Sequence, residues 1–154
     1  LGAQLKIPVP GTIVPVTLQT AFVLLAGLRL GARDGAISQA LYLAGGLAGL
    51  PFFAAASTGT AGYLVGFIIA AAMAGALVDK TKESFIATWA LTFVASLLIF
   101  IPGVTYLKFF TQVSWEQAVM MGFVPFIIGD LLKVTLSATL FSLSNRLGFS
   151  QTRR

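Results

Sequence analysis

GAISQALYLAGGLAGLPFFAAASTGTAGYLVGFIIAAAMAGALV, residues 35–78, runs without a single Asp, Glu, Lys or Arg. A bilayer core of about 30 Å takes roughly 20 helical residues, so this stretch is long enough for two crossings and a connection. Pro51 and the Ser57-Thr58-Gly59-Thr60 cluster supply the break between them. Outward on either side, charges punctuate the chain: Arg29, Arg33 and Asp34 before it, then Asp79, Lys80, Lys82 and Glu83 after it. The spacing predicts helices over about 15–32, 35–50, 60–78, 84–101 and 125–146, five crossings in a single transmembrane domain over residues 1–154. The fold class expected is all-α, a polytopic membrane helix bundle.

Composition points the same way. The chain is 57% hydrophobic and 10% charged, where soluble domains average about 45–50% and about 25%. A chain of 154 residues has too little interior to hide so much apolar surface from water. There is no Cys and no His, which excludes a disulfide framework and argues against zinc or iron centres and a Ser-His-Asp relay. No cofactor is expected. The net charge of +5 comes without a basic stripe interleaved with aromatics, so it marks loops rather than nucleic-acid contact.

Lys and Arg divide unevenly between the two sets of connections. One set holds Arg29, Arg33, Lys80, Lys82, Arg146, Arg153 and Arg154; the other holds Lys6 and Lys108. The richer set faces the cytoplasm by the positive-inside rule, which puts the C-terminus inside. Residues 1–14, 51–60 and 102–124 then face out. Five crossings leave the N-terminus outside, and Leu1-Gly2-Ala3-Gln4 reads as the end of a helix, so a preceding span is expected. In the outer stretch, Ser114-Trp115-Glu116-Gln117 fits a capping box that opens a short helix ending near Gly122. Pro125 suits the first turn of the final span, and Tyr106, Phe109 and Trp115 sit where an interfacial belt belongs.

Asp130 and Lys133 are the sharpest chemical feature. They lie three apart in the apolar run Phe126-Ile127-Ile128-Gly129-Asp130-Leu131-Leu132-Lys133 and share a helix face. An ionised group at the bilayer centre costs roughly 2.5–3.5 kcal/mol on insertion scales, so such groups face a bundle interior and mark a site or pathway. The alternative is a self-neutralising pair that snorkels. As a site, the pair is the floor of a pocket open to the outside, taking a ligand with N–H donors and with acceptor or anionic oxygens. Thr17, Gln19 and Thr20 follow the proline-rich Ile7-Pro8-Val9-Pro10-Gly11 and Pro15; they either roof that pocket, with Gln19 on the ligand, or cap a helix start. Gly62, Gly66, Ala70 and Ala74 form a ladder of small residues, and Ala40, Ala44 and Ala48 form another, suited to close helix packing or to a partner subunit. Tyr63 is either an interfacial anchor or a lid over a ligand ring. No Gly-x-x-x-x-Gly-Lys-Ser/Thr loop occurs, so this chain does not hydrolyse ATP by the common route.

Taken together, Pro15-Val16-Thr17-Leu18-Gln19-Thr20, Val23-Leu24-Leu25-Ala26-Gly27, Leu50-Pro51, Gly62-Tyr63-Leu64-Val65-Gly66-Phe67 and Pro125 through Lys133 resemble the BioY family. These are the biotin-specific S components of energy-coupling factor (ECF) transporters, and the resemblance runs from about residue 1 to residue 146. It implies a six-helix, non-enzymatic subunit in the cytoplasmic membrane that binds biotin near its outer face. It also implies energising partners, a transmembrane coupling subunit and two ATPases. Asp130 and Lys133 match the family's ligand-contacting acid and lysine; the ureido ring offers N–H groups and a carbonyl, the valerate a carboxylate. Residues 52–61 look shorter and less glycine-rich than the family's usual loop, and the family's first helix is not in this sequence. A proton-coupled secondary transporter is the competing reading, but the inverted repeat it requires is not visible, since the acidic segment has no second copy.

Overall fold

The computed structural model describes residues 6–50 and 59–147. A short antiparallel pair, β1 (Lys6–Ile7) with β2 (Val16–Thr17), brings the proline-rich N-terminal segment back on itself. Helices α1 (Gln19–Leu47), α2 (Ala61–Thr81), α3 (Phe85–Thr111), α4 (Trp115–Gly122) and α5 (Ile127–Arg146) follow, with a 3-10 turn at Val124–Phe126.

Inside α1 the chain reverses at Gly31, whose φ of 88° is left-handed, a conformation glycine adopts without a Cβ penalty. A Cβ placed on Gly35 would sit 3.0 Å from Gly27 Cα, so the two legs lie back to back. The sequence reading put this break at the charged pair Arg33 and Asp34. Glycine's conformational freedom moves it to Gly31, and the two charges become the exposed first turn of the second leg. At 1.5 Å per residue the legs, 19–30 and 32–47, are about 18 and 24 Å long. Among the described residues, three segments are long and apolar enough to cross a membrane: Ala61–Thr81, Phe85–Thr111 and Trp115–Arg146. The five traverses expected are therefore present as helical legs, but the legs of α1 fall short of full spans.

The span expected over about 84–101 does not stop before Pro102. The helix continues to Thr111, losing only the bond a proline N–H cannot make. The turn beyond it is held by packing, since Val104 and Leu107 are buried in the core. Gln112, with φ 57°, terminates the helix. The capping box then forms as expected: Ser114 Oγ accepts from Gln117 N and Gln117 Oε1 accepts from Ser114 N, both at 3.2 Å. Lys108 Nζ lies over the rings of Phe109 and Trp115, at 4.6 and 5.2 Å from their centroids, as an interfacial belt requires.

The ladder on α2 is internal. A Cβ on Gly66 would meet Ile99 Cα at 2.7 Å, and Gly62 and Gly75 stand still closer to the backbone at Pro102 and at Gly31. Gly27 closes on Ala71 in the same way. Such contacts let helices meet backbone to backbone. Ala40, Ala44 and Ala48, by contrast, face outward. Within a mainly apolar interior Thr88, Thr92, Ser96 and Ser137 are fully buried, while Ile86, Ile128 and Leu132 are among the large apolar side chains most open at the surface. Buried hydroxyls beneath an apolar surface suit a lipid solvent.

Candidate functional site

A cavity opens where the N-terminal hairpin, the starts of α1, α2 and α5, and the upper part of α3 converge. Val14, Pro15 and Thr17 come from the hairpin and Gln19 and Thr20 from α1, while Thr60, Tyr63, Leu64 and Phe67 line the α2 side. Ile99 and Phe100 of α3 and Phe126, Asp130 and Lys133 at the head of α5 complete the wall. The space of about 70 Å³ holds several waters, each needing at least about 10–15 Å³.

The four residues singled out from sequence, Gln19, Tyr63, Asp130 and Lys133, all line this one cavity. Asp130 and Lys133 are 2% and 7% exposed. They share a helix face, yet they form no ion pair within 4 Å; among the described residues the one such pair joins Lys82 to Asp79. A directly paired, snorkelling arrangement is therefore not the one these two side chains adopt. Ser96 Oγ donates to Asp130 Oδ2 at 2.7 Å, whereas Oδ1 is buried without any hydrogen-bond partner among the described residues. An orphaned carboxylate oxygen in an apolar surrounding is costly, and a ligand N–H relieves it. Lys133 Nζ has no hydrogen-bond partner among the described residues either. Its backbone is fixed one turn on, where Ser137 Oγ lies 2.7 Å from Lys133 O and 3.0 Å from Ala21 O, tying α5 to α1.

Tyr63 lines the cavity with its ring while its hydroxyl is engaged elsewhere. Its hydroxyl donates to Gly122 O at 2.8 Å, and its ring fills the space left by the missing side chain of Gly103. Only the ring remains to face a ligand. Phe100 meets it edge-on at 6.2 Å and meets Phe123 in turn at 4.9 Å. Gln19 is half-buried, its backbone N donating to Thr17 Oγ1 at 3.3 Å, and its side-chain amide is uncommitted among the described residues. The short, glycine-poor loop expected over 52–61 falls largely on residues 52–58, which lie outside those described.

Sequence reasoning missed Ser96 and the aromatic wall of Phe67, Phe100 and Phe126. A signal for the first was present: Thr88, Thr92 and Ser96 recur every fourth residue along an otherwise apolar helix, one polar line on a single face.

Chemically, the site pairs one acceptor oxygen and one ammonium with aromatic and aliphatic walls. It suits a small cyclic ligand carrying an N–H donor, an oxygen acceptor and an apolar body. Fold and cavity together define a membrane-embedded solute-binding helix bundle. The model of the BioY family matches residues 1–148. A biotin transporter BioY from Thermotoga maritima is 40% identical over 146 residues, covering 90% of this chain and 83% of that protein. The biotin transporter BioY2 of Lactococcus lactis subsp. cremoris is 34% identical over 153 residues, covering 95% and 84%. In three dimensions the chain is similar to the crystal structure of the S-component for biotin from an ECF-type ABC transporter, with a TM-score of 0.83 and 22% identity over 92% of this chain and 80% of that one. This chain belongs to the BioY family.

Proposed function

We propose that this chain is the biotin-binding S component of an ECF-type uptake system in the cytoplasmic membrane, taking biotin from the outer face and working with a transmembrane coupling subunit and ATPases. The observation that carries it is the unpartnered Oδ1 of Asp130 beside an uncommitted Lys133 ammonium in an apolar-walled cavity. A ureido N–H satisfies the carboxylate oxygen, and a ureido carbonyl or the valerate carboxylate satisfies Lys133. The fused rings lie against Tyr63 and Phe100, and Gln19 contributes from the roof. Arg29, Lys80, Lys82 and Arg146 lie at the end of the bundle away from the cavity, which supports a cytoplasmic C-terminus and an outward-facing site. The role is transport rather than catalysis.

Binding of labelled biotin to the purified protein in detergent or lipid tests this, with thiamine and riboflavin as competitors. Removing a charged hydrogen-bonding group is worth about 1.5–3 kcal/mol, so Asp130→Ala and Lys133→Ala each lower affinity by at least about tenfold. Biotin binding unchanged in both variants overturns the assignment of the site; no biotin binding by the folded wild-type protein overturns the assignment of the ligand.

A further inference from the structure

Two features of the Asp130 carboxylate differ in kind. Oδ2 is capped by Ser96 Oγ at 2.7 Å, while Oδ1 is buried and bare among the described residues. Ser96 is itself fully buried on α3 and its hydroxyl also stands 2.7 Å from Phe93 O. One hydroxyl proton cannot serve both acceptors, and an ionic carboxylate is the stronger of the two. With one of its lone-pair sites taken by Ser96, Oδ2 is the weaker remaining acceptor, and Oδ1 is the oxygen left wholly unpartnered among the described residues.

We infer that Ser96 is a specificity-determining positioning residue: by competing for Oδ2 it favours a single ligand N–H at Oδ1 and disfavours ligands that present two parallel N–H groups to both oxygens. The inference rests on biotin as the ligand. A urea presents an N–H to Oδ1 without loss, whereas a guanidinium seeks the two-oxygen, fork-on-fork arrangement that Ser96 weakens by competing for Oδ2. The residue acts through Asp130 and does not itself line the cavity.

The discriminating pair of ligands is biotin and 2-iminobiotin, in which a guanidinium replaces the urea; their affinities are compared on the full chain in detergent at a pH where the guanidinium is charged. In Ser96→Ala, biotin binding weakens by about tenfold, because Oδ2 loses its donor and the carboxylate its orientation. Iminobiotin weakens less or tightens, so the biotin-to-iminobiotin preference narrows by at least about tenfold. Ser96→Cys, close in size and a weaker donor, gives an intermediate preference and serves as the second variant should the alanine protein not fold. A preference unchanged in a folded variant, whether both affinities fall together or neither moves, overturns the inference and leaves Ser96 a packing residue. Failure of the wild-type protein to bind biotin overturns the underlying reading instead, and is seen in the same experiment.

Discussion

Gly75→Ala probes the junction on which the helix arrangement depends. A Cβ at this position would stand 2.6 Å from Gly31 O, with the Gly31 carbonyl carbon and Ala32 N nearer still. Ordinary carbon contacts lie at about 3.5–4.0 Å, so the Gly31 bend must back away from α2 by more than about 1 Å. All three atoms are backbone, and no rotamer change can yield. Overpacking against such a wall belongs at the upper end of the usual range, about 3 kcal/mol, and the better helix propensity of alanine returns about 1 kcal/mol. The net loss of about 2 kcal/mol lowers the melting temperature by about 4–8 °C, at about 2–4 °C per kcal/mol for chains of this size. Thermal unfolding in detergent, followed by circular dichroism, reads the shift. Gly129→Ala is the control, because its Cβ would meet only Lys133 Cε and Val16 Cγ1, both at 3.9 Å, and its melting temperature should hold or rise. A Gly75→Ala protein melting at or above the wild type would refute the backbone-contact argument.

Tyr63→Phe removes the bond to Gly122 O but keeps the ring, so stability falls by about 1 kcal/mol while biotin affinity changes by less than about threefold; a tenfold affinity loss in a titration would put the hydroxyl on the ligand instead. Ser114→Ala deletes the capping box at α4 and lowers stability by about 0.5–2 kcal/mol, read as a melting shift with unchanged biotin binding. Because the chain has no Cys, single introduced thiols report orientation: an impermeant maleimide should label Gln112→Cys in intact cells and spare Glu83→Cys, and the reverse pattern would invert the proposed topology.

The helical, membrane-embedded character was legible because uncharged length and punctuating charges are properties of the sequence alone. So was the convergence of Asp130 and Lys133, since a three-residue spacing fixes a shared face once the segment is helical. The capping box at Ser114 and Gln117 needed nothing beyond local backbone geometry. What escaped depends on neighbours distant in sequence. Gly31 gave no cue that distinguished it from Gly35, and the residue that lies against the bend, Gly75, is 44 positions further along the chain. Pro102 looked like a helix stop, and only the burial of Val104 and Leu107 beyond it shows why the helix carries through. Ser96 could be seen as polar, but its acceptor lies on another helix, 34 residues away. Tyr63 was assigned to the cavity correctly while its hydroxyl was already spoken for at Gly122.

The glycine contacts also divide the molecule mechanically. Where α2 meets α1 and α3, backbone rests on backbone at Gly27, Gly62, Gly66 and Gly75, and such a seam has no side chains to rotate, so it can separate but cannot creep. Helix α5 is fastened differently, through the hydroxyls of Ser96 and Ser137 and the Trp89 to Thr135 bond of 3.0 Å, links that can be exchanged for water or for a ligand one at a time. The half of the cavity carried by α2 thus rests on backbone seams, and the half that bears Asp130 and Lys133 rests on hydroxyl bonds together with the buried side chains of Val134, Ala138 and Phe141.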